Sequence, residues 1–486
     1  MFSRRSVWLI PAALLAALPL PGQELNVWPF AVEQARTDGT RESGQYVGPL
    51  FFTKSTAAGE LEGFRPLFLQ ARAGELEGAS FLYPLFTWEK QPGFHAFSFF
   101  QLINRRQTTA AGSAEVCGFD VWPFYFSKET GDPVTTYHAF FPVTGTIKQR
   151  FGQDRLTWQA FPLYLKTDKS GLQVTAAPWP FLRFITGAGH HGFEFWPLFG
   201  HRGRAGDYDK QFWLWPLFYR QATQLSAPEP MVRLGALPFY TRDTGPGFRS
   251  ENFVWPLFGY THRAEPDRYD EQRYLWPFLV QGRGDQRHVN RWAPLYTHST
   301  VRGYDKTWFA WPLFRHAQWQ EAGLAQEKNQ LLFILYWSLT QRSLANPAAS
   351  PAHKTHLWPL FSAWDNGAGR RQVQLLSPLE VFFPTNDTVR QLYSPLFALY
   401  RYDRSGPGVT RHSLLWDAVT WRRNAADREF HLGPLFSVES GPESRRLALL
   451  CGVLGWQRRP GEDRGKFFLF DFTRKKATKA TDHPPS

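Results

Sequence analysis

Cysteine is nearly absent: Cys117 and Cys451 are the only two in 486 residues. So few thiols in so long a chain exclude a disulfide scaffold, and stability has to come from packing. The pair lies far apart in what proves to be a sequential array, so both are expected to be unlinked thiols. Long apolar runs are missing too. Beyond the N-terminal two dozen residues nothing approaches the ~18 consecutive apolar residues of a spanning helix, so a membrane form would have to be a barrel. There is no G-x-S-x-G elbow, no H-E-x-x-H helix, no phosphate loop and no metal-spaced cysteine cluster. No catalytic residue, metal or cofactor is therefore assigned, and a binding role fits better than an enzyme. Acidic residues are in the minority, 42 against 55 Lys and Arg, for a net charge of +13. That excess is spread along the chain, which points to a mildly positive surface rather than a nucleic-acid face. Anionic envelope glycan, lipopolysaccharide or phospholipid head groups are the expected partners.

The first residues, "MFSRRSVWLIPAALLAALPLPGQE", place Arg4 and Arg5 before an apolar stretch and a Pro/Gly-rich exit. This is the layout of a secretory signal, expected over residues 1–23, with no following cysteine to carry a lipid anchor. A single repeat domain is expected over 24–472 and a disordered basic tail over 473–486.

Aromatic residues, 17% of the chain, recur in phase. A phrase of the form Trp-Pro-Leu-Phe places its proline at 29, 49, 66, 84, 123, 142, 162, 180, 197, 216, 238, 256, 277, 294, 312, 359, 378, 395 and 434. With five proline-less runs filling the gaps, this makes about 24 units of 17 to 24 residues. Each unit has a short apolar centre, polar flanks and a turn such as "RDTGPGFR" or "DRSGPGVTR". Short aromatic runs bounded by Gly, Asp and Pro read as β-strands. Choline-binding and glucan-binding repeats are similar in period and aromatic content, but their regular Gly-Trp and paired-tyrosine phrases are absent here.

Proline donates no backbone hydrogen bond and is excluded from strand centres. The Trp-Pro step is therefore expected to be a bend at the centre of each unit, with Leu-Phe starting a second strand. The fold class that follows is all-β: repeated antiparallel units forming a closed or stacked meander, as a large barrel, a sandwich or a hairpin solenoid. On this reading Trp215, Trp255, Trp276 and Trp311 form a buried ladder.

Tryptophans outside the phrase, Trp88, Trp319, Trp364, Trp421 and Trp456, are placed toward the turns and are the candidate ligand platforms. Arginines three to six positions past an in-phase proline, Arg202, Arg220, Arg242, Arg283, Arg315 and Arg401, together with Arg422, are expected at the sheet rims as candidate anion contacts or as solvated strand ends. Tyr208-Asp209, Tyr269-Asp270 and Tyr304-Asp305 are read as turn chemistry. His190 and His191, with Glu194 nearby, are assigned to a loop, since neighbours on a strand point to opposite faces and cannot converge on a metal.

Three classes of function remain. The first is an exported repeat protein of the periplasm or cell surface that binds or scaffolds anionic glycan or lipid. The alternative is an outer-membrane β-barrel for channel or lipid and glycan transport, and the third a polysaccharide-acting enzyme on a β-scaffold. The proline band weighs against the barrel, because donors left unpaired around each proline would be costly in hydrocarbon. Electrostatic, salt-sensitive attachment is expected instead.

Overall fold

The computed structural model describes residues 23–469, apart from 37, 39, 57, 110–114, 385, 443, 460, 462 and 463. The expected signal, but for Gln23, and the whole of the expected basic tail lie outside these residues. Among the described residues, forty-five strands and two short α-helices make the fold all-β and antiparallel, as the repeat implied. Chain contacts divide the described residues into two compact units, one formed by those up to Tyr83 and from Ala352 onward and the other by 84–351.

In the 84–351 unit every strand from Phe86–Gln91 to Tyr336–Ser343 pairs with the next in sequence, giving an uninterrupted meander. Most strands are six residues long, about 20 Å at ~3.3 Å per residue. In the other unit, one ribbon runs from Glu24–Val27 to Leu76–Phe81 and another from Ala352–Leu357 to Lys466–Leu469. Between the paired strands Arg371–Leu375 and Tyr400–Gly406 sit the helices Asp387–Leu392 and Ser394–Phe397. Asn386 caps the first of these by accepting from the Val389 amide at 3.0 Å, and its amide group donates to the Tyr83 hydroxyl at 3.0 Å. The helix thereby seats the fully buried Leu392 against Phe52 and Leu69.

The Trp-Pro phrase turns the chain more sharply than a mid-strand bend. It is the connection between two successive strands that pair with each other. Strand Phe248–Phe253 leads into Val254-Trp255-Pro256-Leu257, and strand Phe258–Arg263 returns with Phe258 opposite Phe253. The Leu257 amide donates to the Val254 carbonyl at 2.9 Å and the Trp255–Pro256 bond is cis, the geometry of a β-turn with proline at its third position. Trp215–Pro216, Trp276–Pro277 and Trp311–Pro312 are likewise cis and likewise join consecutive strands. Proline's missing donor is harmless in a turn, which explains its abundance. Edge turns have no second layer over them, so the expected buried ladder does not form. Trp215, Trp255, Trp276 and Trp311 are 41%, 47%, 42% and 58% exposed.

Burial instead follows one face of the sheet. In the 84–351 unit Phe126, Tyr137, Ala139, Ile147 and Trp158 form one cluster. Several aromatic rings on this face lie over a glycine of the neighbouring strand, as Tyr269 does over Gly282 and Phe212 over Gly200. Glycine there clears room for the ring and lets the strands pack without a competing side chain. Cys117 and Cys451 are free thiols.

Candidate functional site

Alternation of the strands places every proline-phrase turn of the 84–351 unit, together with the proline-less turns 100–102 and 332–335, on one edge and the remaining connections on the opposite edge. The proline edge is apolar throughout. Each of its connections exposes at least one large apolar side chain, among them Trp122, Leu163, Phe239, Trp255, Leu295 and Trp311. Just inside it the strand ends add a row of cross-strand aromatic pairs, such as Phe195 with Phe199, Trp213 with Phe218, and Tyr296 with Phe309 at 5.3 Å between rings. Such pairs stabilise the hairpins by stacking and supply the edge with a second apolar tier.

The backbone of this edge is paired turn to turn. The Val254 amide donates to Phe239 O at 2.7 Å, Trp276 to Leu257 O at 2.8 Å, Trp215 to Pro197 O at 2.7 Å and Trp311 to Pro294 O at 2.7 Å. Most donors flanking the prolines are thus satisfied within the protein, the amides of Val143, Trp255 and Leu295 being among the exceptions, which weakens the objection that this band would carry orphaned groups into an apolar medium.

The opposite edge is built mainly from small and polar residues, with exposed apolar exceptions that include Val134, Phe151 and Leu225. Its two-residue turns Ser170-Gly171, Ala188-Gly189 and Arg302-Gly303 have positive φ at both positions, the type I′ geometry that suits the twist of a hairpin. Pro246-Gly247 and Asp285-Gln286 also close hairpins on this side. Between the edges lies a zone of paired charges. The three Tyr-Asp dipeptides open strands rather than turns, and each aspartate meets a histidine of the preceding strand: Asp209 with His201 at 2.7 Å, Asp270 with His262, and Asp305 with His298 at 2.7 Å. A histidine seven or eight residues before each aspartate was the available sequence signal. His190 and His191 also lie in a strand, His190–Phe195, and diverge: His190 meets the Tyr208 hydroxyl at 2.8 Å, whereas His191 approaches His201. Among the described residues no group of three or more His, Cys, Asp or Glu is arranged to hold a metal ion.

The arginines chosen from the sequence lie within strands, most of them beside carboxylates or other acceptors. Arg202 is 3.5 Å from Glu194, Arg220 3.4 Å from Asp209, Arg242 3.7 Å from Glu251 and Arg401 2.7 Å from Asp403. Arg315 donates to Gln330 at 3.0 Å and to the Tyr304 hydroxyl at 2.8 Å. Arg283 stands between Asp270 and His288 in the ladder, and Arg422 between Arg411 and Glu429. The tryptophans are also strand residues. Trp88 is opposite Phe97, Trp319 packs near Tyr304, and Trp364 stands between Lys354 and Gln372. Trp421 and Trp456 fall in one cross-strand row of the Tyr400–Leu469 ribbon, Trp421 stacked on His412 at 4.3 Å and Trp456 between Leu447 and Phe467.

A buried ionic cluster in the same unit escaped the sequence reading. Glu24 accepts from Arg411 and from the Thr420 hydroxyl at 2.7 Å, its amide donates to Glu429 at 3.1 Å, and Arg411 also holds Asp417 at 2.9 Å. Burial alone would raise the Glu24 carboxyl, but the charge and hydrogen bonds of Arg411 outweigh it and hold the group below the usual carboxylate range. Glu24, Asp417 and Thr420 have almost no exposed surface, so the cluster ties the first strand to the later ribbon and offers no open site for a substrate. No protein-family model and no curated protein is detectably similar to this chain.

Proposed function

We propose that the chain is an exported envelope repeat protein that binds or scaffolds a lipid surface, seating the proline-turn edge in the interfacial region. The observation that carries this reading is the apolar edge of the 84–351 unit, exposed at every turn, whose backbone groups are mostly paired from turn to turn. Scattered exposed apolar residues mean little, whereas a contiguous apolar band rimmed by polar residues marks an interaction surface. Tryptophan and other aromatics suit the headgroup boundary, where rings are apolar and the indole N–H stays wet. A hydroxyl-rich glycan would match the indole faces but leave the Leu and Phe side chains of the same turns without a partner. Lipid is therefore favoured over glycan. The net charge of +13 adds attraction to anionic head groups. Attachment on this account is partly hydrophobic and resists salt, unlike purely electrostatic attachment. Flotation with neutral phosphatidylcholine vesicles in 1 M salt tests it: the protein should rise with the vesicles, and recovery in the dense fraction would contradict the reading.

A further inference from the structure

The ribbon from Tyr400 to Leu469 is inverted relative to a soluble sheet. Its strands alternate a buried polar or small residue with an exposed apolar one: Thr420 is 0% exposed beside Trp421 at 39%, and Glu429 is 7% exposed beside Phe430 at 37%. The buried face receives Glu24 through Arg411, Thr420 and Glu429. The outer face is organised by the strand register into three parallel rows. Next to the turns run aliphatic residues, including Leu414, Leu432, Leu449 and Leu454. The second row contains His412, Trp421, Phe430 and Trp456. The third contains Arg404, Arg423, Arg428, Arg445 and Arg458, interrupted only by Thr410 and Ser440.

The arginine row sets like charges against one another. Arg423 stands directly opposite Arg428, and Arg445 directly opposite Arg458. Like charges in such positions destabilise a sheet. Arg404, Arg423, Arg428 and Arg445 are exposed and make no ion pair with any described residue. The 84–351 unit differs, since its equivalent zone places Asp270 between His262 and Arg283. Repulsion between Arg423 and Arg428, above an aromatic and an aliphatic row, points to an anion supplied from outside.

We propose that this outer face binds membrane lipids bearing anionic phosphate head groups. The arginine row would meet the phosphates, the aromatic row the headgroup boundary, and the aliphatic row the acyl chains. Four residues along a strand separate the first row from the third, about 13 Å at ~3.3 Å per residue. That span matches an edge immersed roughly 5–10 Å into the acyl boundary with its charges at the phosphate level. Arginine's planar fork suits phosphate. The inference rests on the lipid-edge reading and adds to it a preference for lipid charge and a place for that preference.

The full chain and the variant R404Q/R423Q/R428Q/R445Q are titrated with vesicles of phosphatidylcholine alone and of phosphatidylcholine with phosphatidylglycerol. A control, R263Q/R268Q/R283Q/R302Q, loses the same charge from the 84–351 unit. The wild type should prefer the anionic vesicles by roughly ten-fold or more, an effect of several arginines near a charged surface that shrinks with added salt. The row variant should lose most of that preference while binding neutral vesicles as before, and the control should keep most of it. The row variant should also unfold at no lower denaturant concentration than wild type, because repulsion has been relieved. Wild-type preference in the row variant, or equal loss in the control, would overturn the assignment while leaving the edge reading intact. Failure of the wild type to bind either vesicle would overturn the edge reading and this assignment with it.

Discussion

Arg411 donates two hydrogen bonds to the carboxylate of Glu24, at 2.8 and 3.3 Å, across 387 residues of sequence. Glu24 is fully buried and Arg411 largely so, and the pair fastens the first strand of its unit onto the later ribbon. Removing one member leaves an uncompensated charge, so Arg411→Ala should destabilise this unit by about 3–5 kcal/mol. Because the folded Glu24 carboxyl titrates below its ordinary value of 4.5, its contribution is present above that pH and is lost as pH falls through the folded value. Denaturant titrations at pH 7 and pH 3.5 check both: Glu24→Gln should lower stability at pH 7 and narrow the gap between the two conditions.

Glycines under aromatic rings make a second prediction. A Cβ on Gly282 would lie 2.8 Å from Cζ of Tyr269, and one on Gly200 would lie 2.6 Å from Cζ of Phe212. Gly282→Ala and Gly200→Ala should therefore each cost about 1–3 kcal/mol by overpacking. Gly303, whose Cβ would meet nothing within 4 Å but whose φ is +78°, should respond instead to its backbone, with Asn tolerated better than Val. Midpoints of chemical denaturation for the four variants separate these mechanisms.

His356, 1% exposed in the strand Ala352–Leu357, gives a pH-dependent test. Burial first, and then the nearby positive charge of Lys354, press its pKa down to about 4. The neutral ring is therefore favoured in the folded state. Its stabilising contribution is complete above the unfolded value of about 6.5 and is lost as pH falls toward 4. Melting temperature should drop over that window in the wild type, and His356→Gln should show a shallower drop.

The strands were legible in the sequence because short aromatic runs alternate with Gly- and Pro-rich turns, and "RDTGPGFR" does close a hairpin at Pro246-Gly247. The direction of the chain at Trp255-Pro256 was not. Proline's missing N–H suits a bend and a reversal equally, and only the pairing of Phe253 with Phe258 distinguishes them. The same ambiguity hid the exposure of Trp255, since an apolar cluster normally signals a core. Arg423 and Arg428 looked like scattered basic residues because their opposition depends on the hairpin between their strands. His262 and Asp270 were likewise joined only by register. The contact of Glu24 with Arg411 had no local signal at all.

The central claim is that the proline edge lies in lipid, and tryptophan quenching by brominated acyl chains tests it most directly. Wild-type protein and the variant W215Q/W255Q/W276Q/W311Q are compared on phosphatidylcholine vesicles carrying bromine near the top of the acyl chains. These four side chains are each at least 41% exposed, so the variant should remain folded with a denaturation midpoint close to wild type. The account predicts strong quenching of the wild type on brominated vesicles, none on unbrominated ones, and clearly weaker quenching and weaker vesicle binding in the variant. Wild-type fluorescence that is unchanged by brominated lipid, in protein shown to be bound to the vesicles, would contradict it.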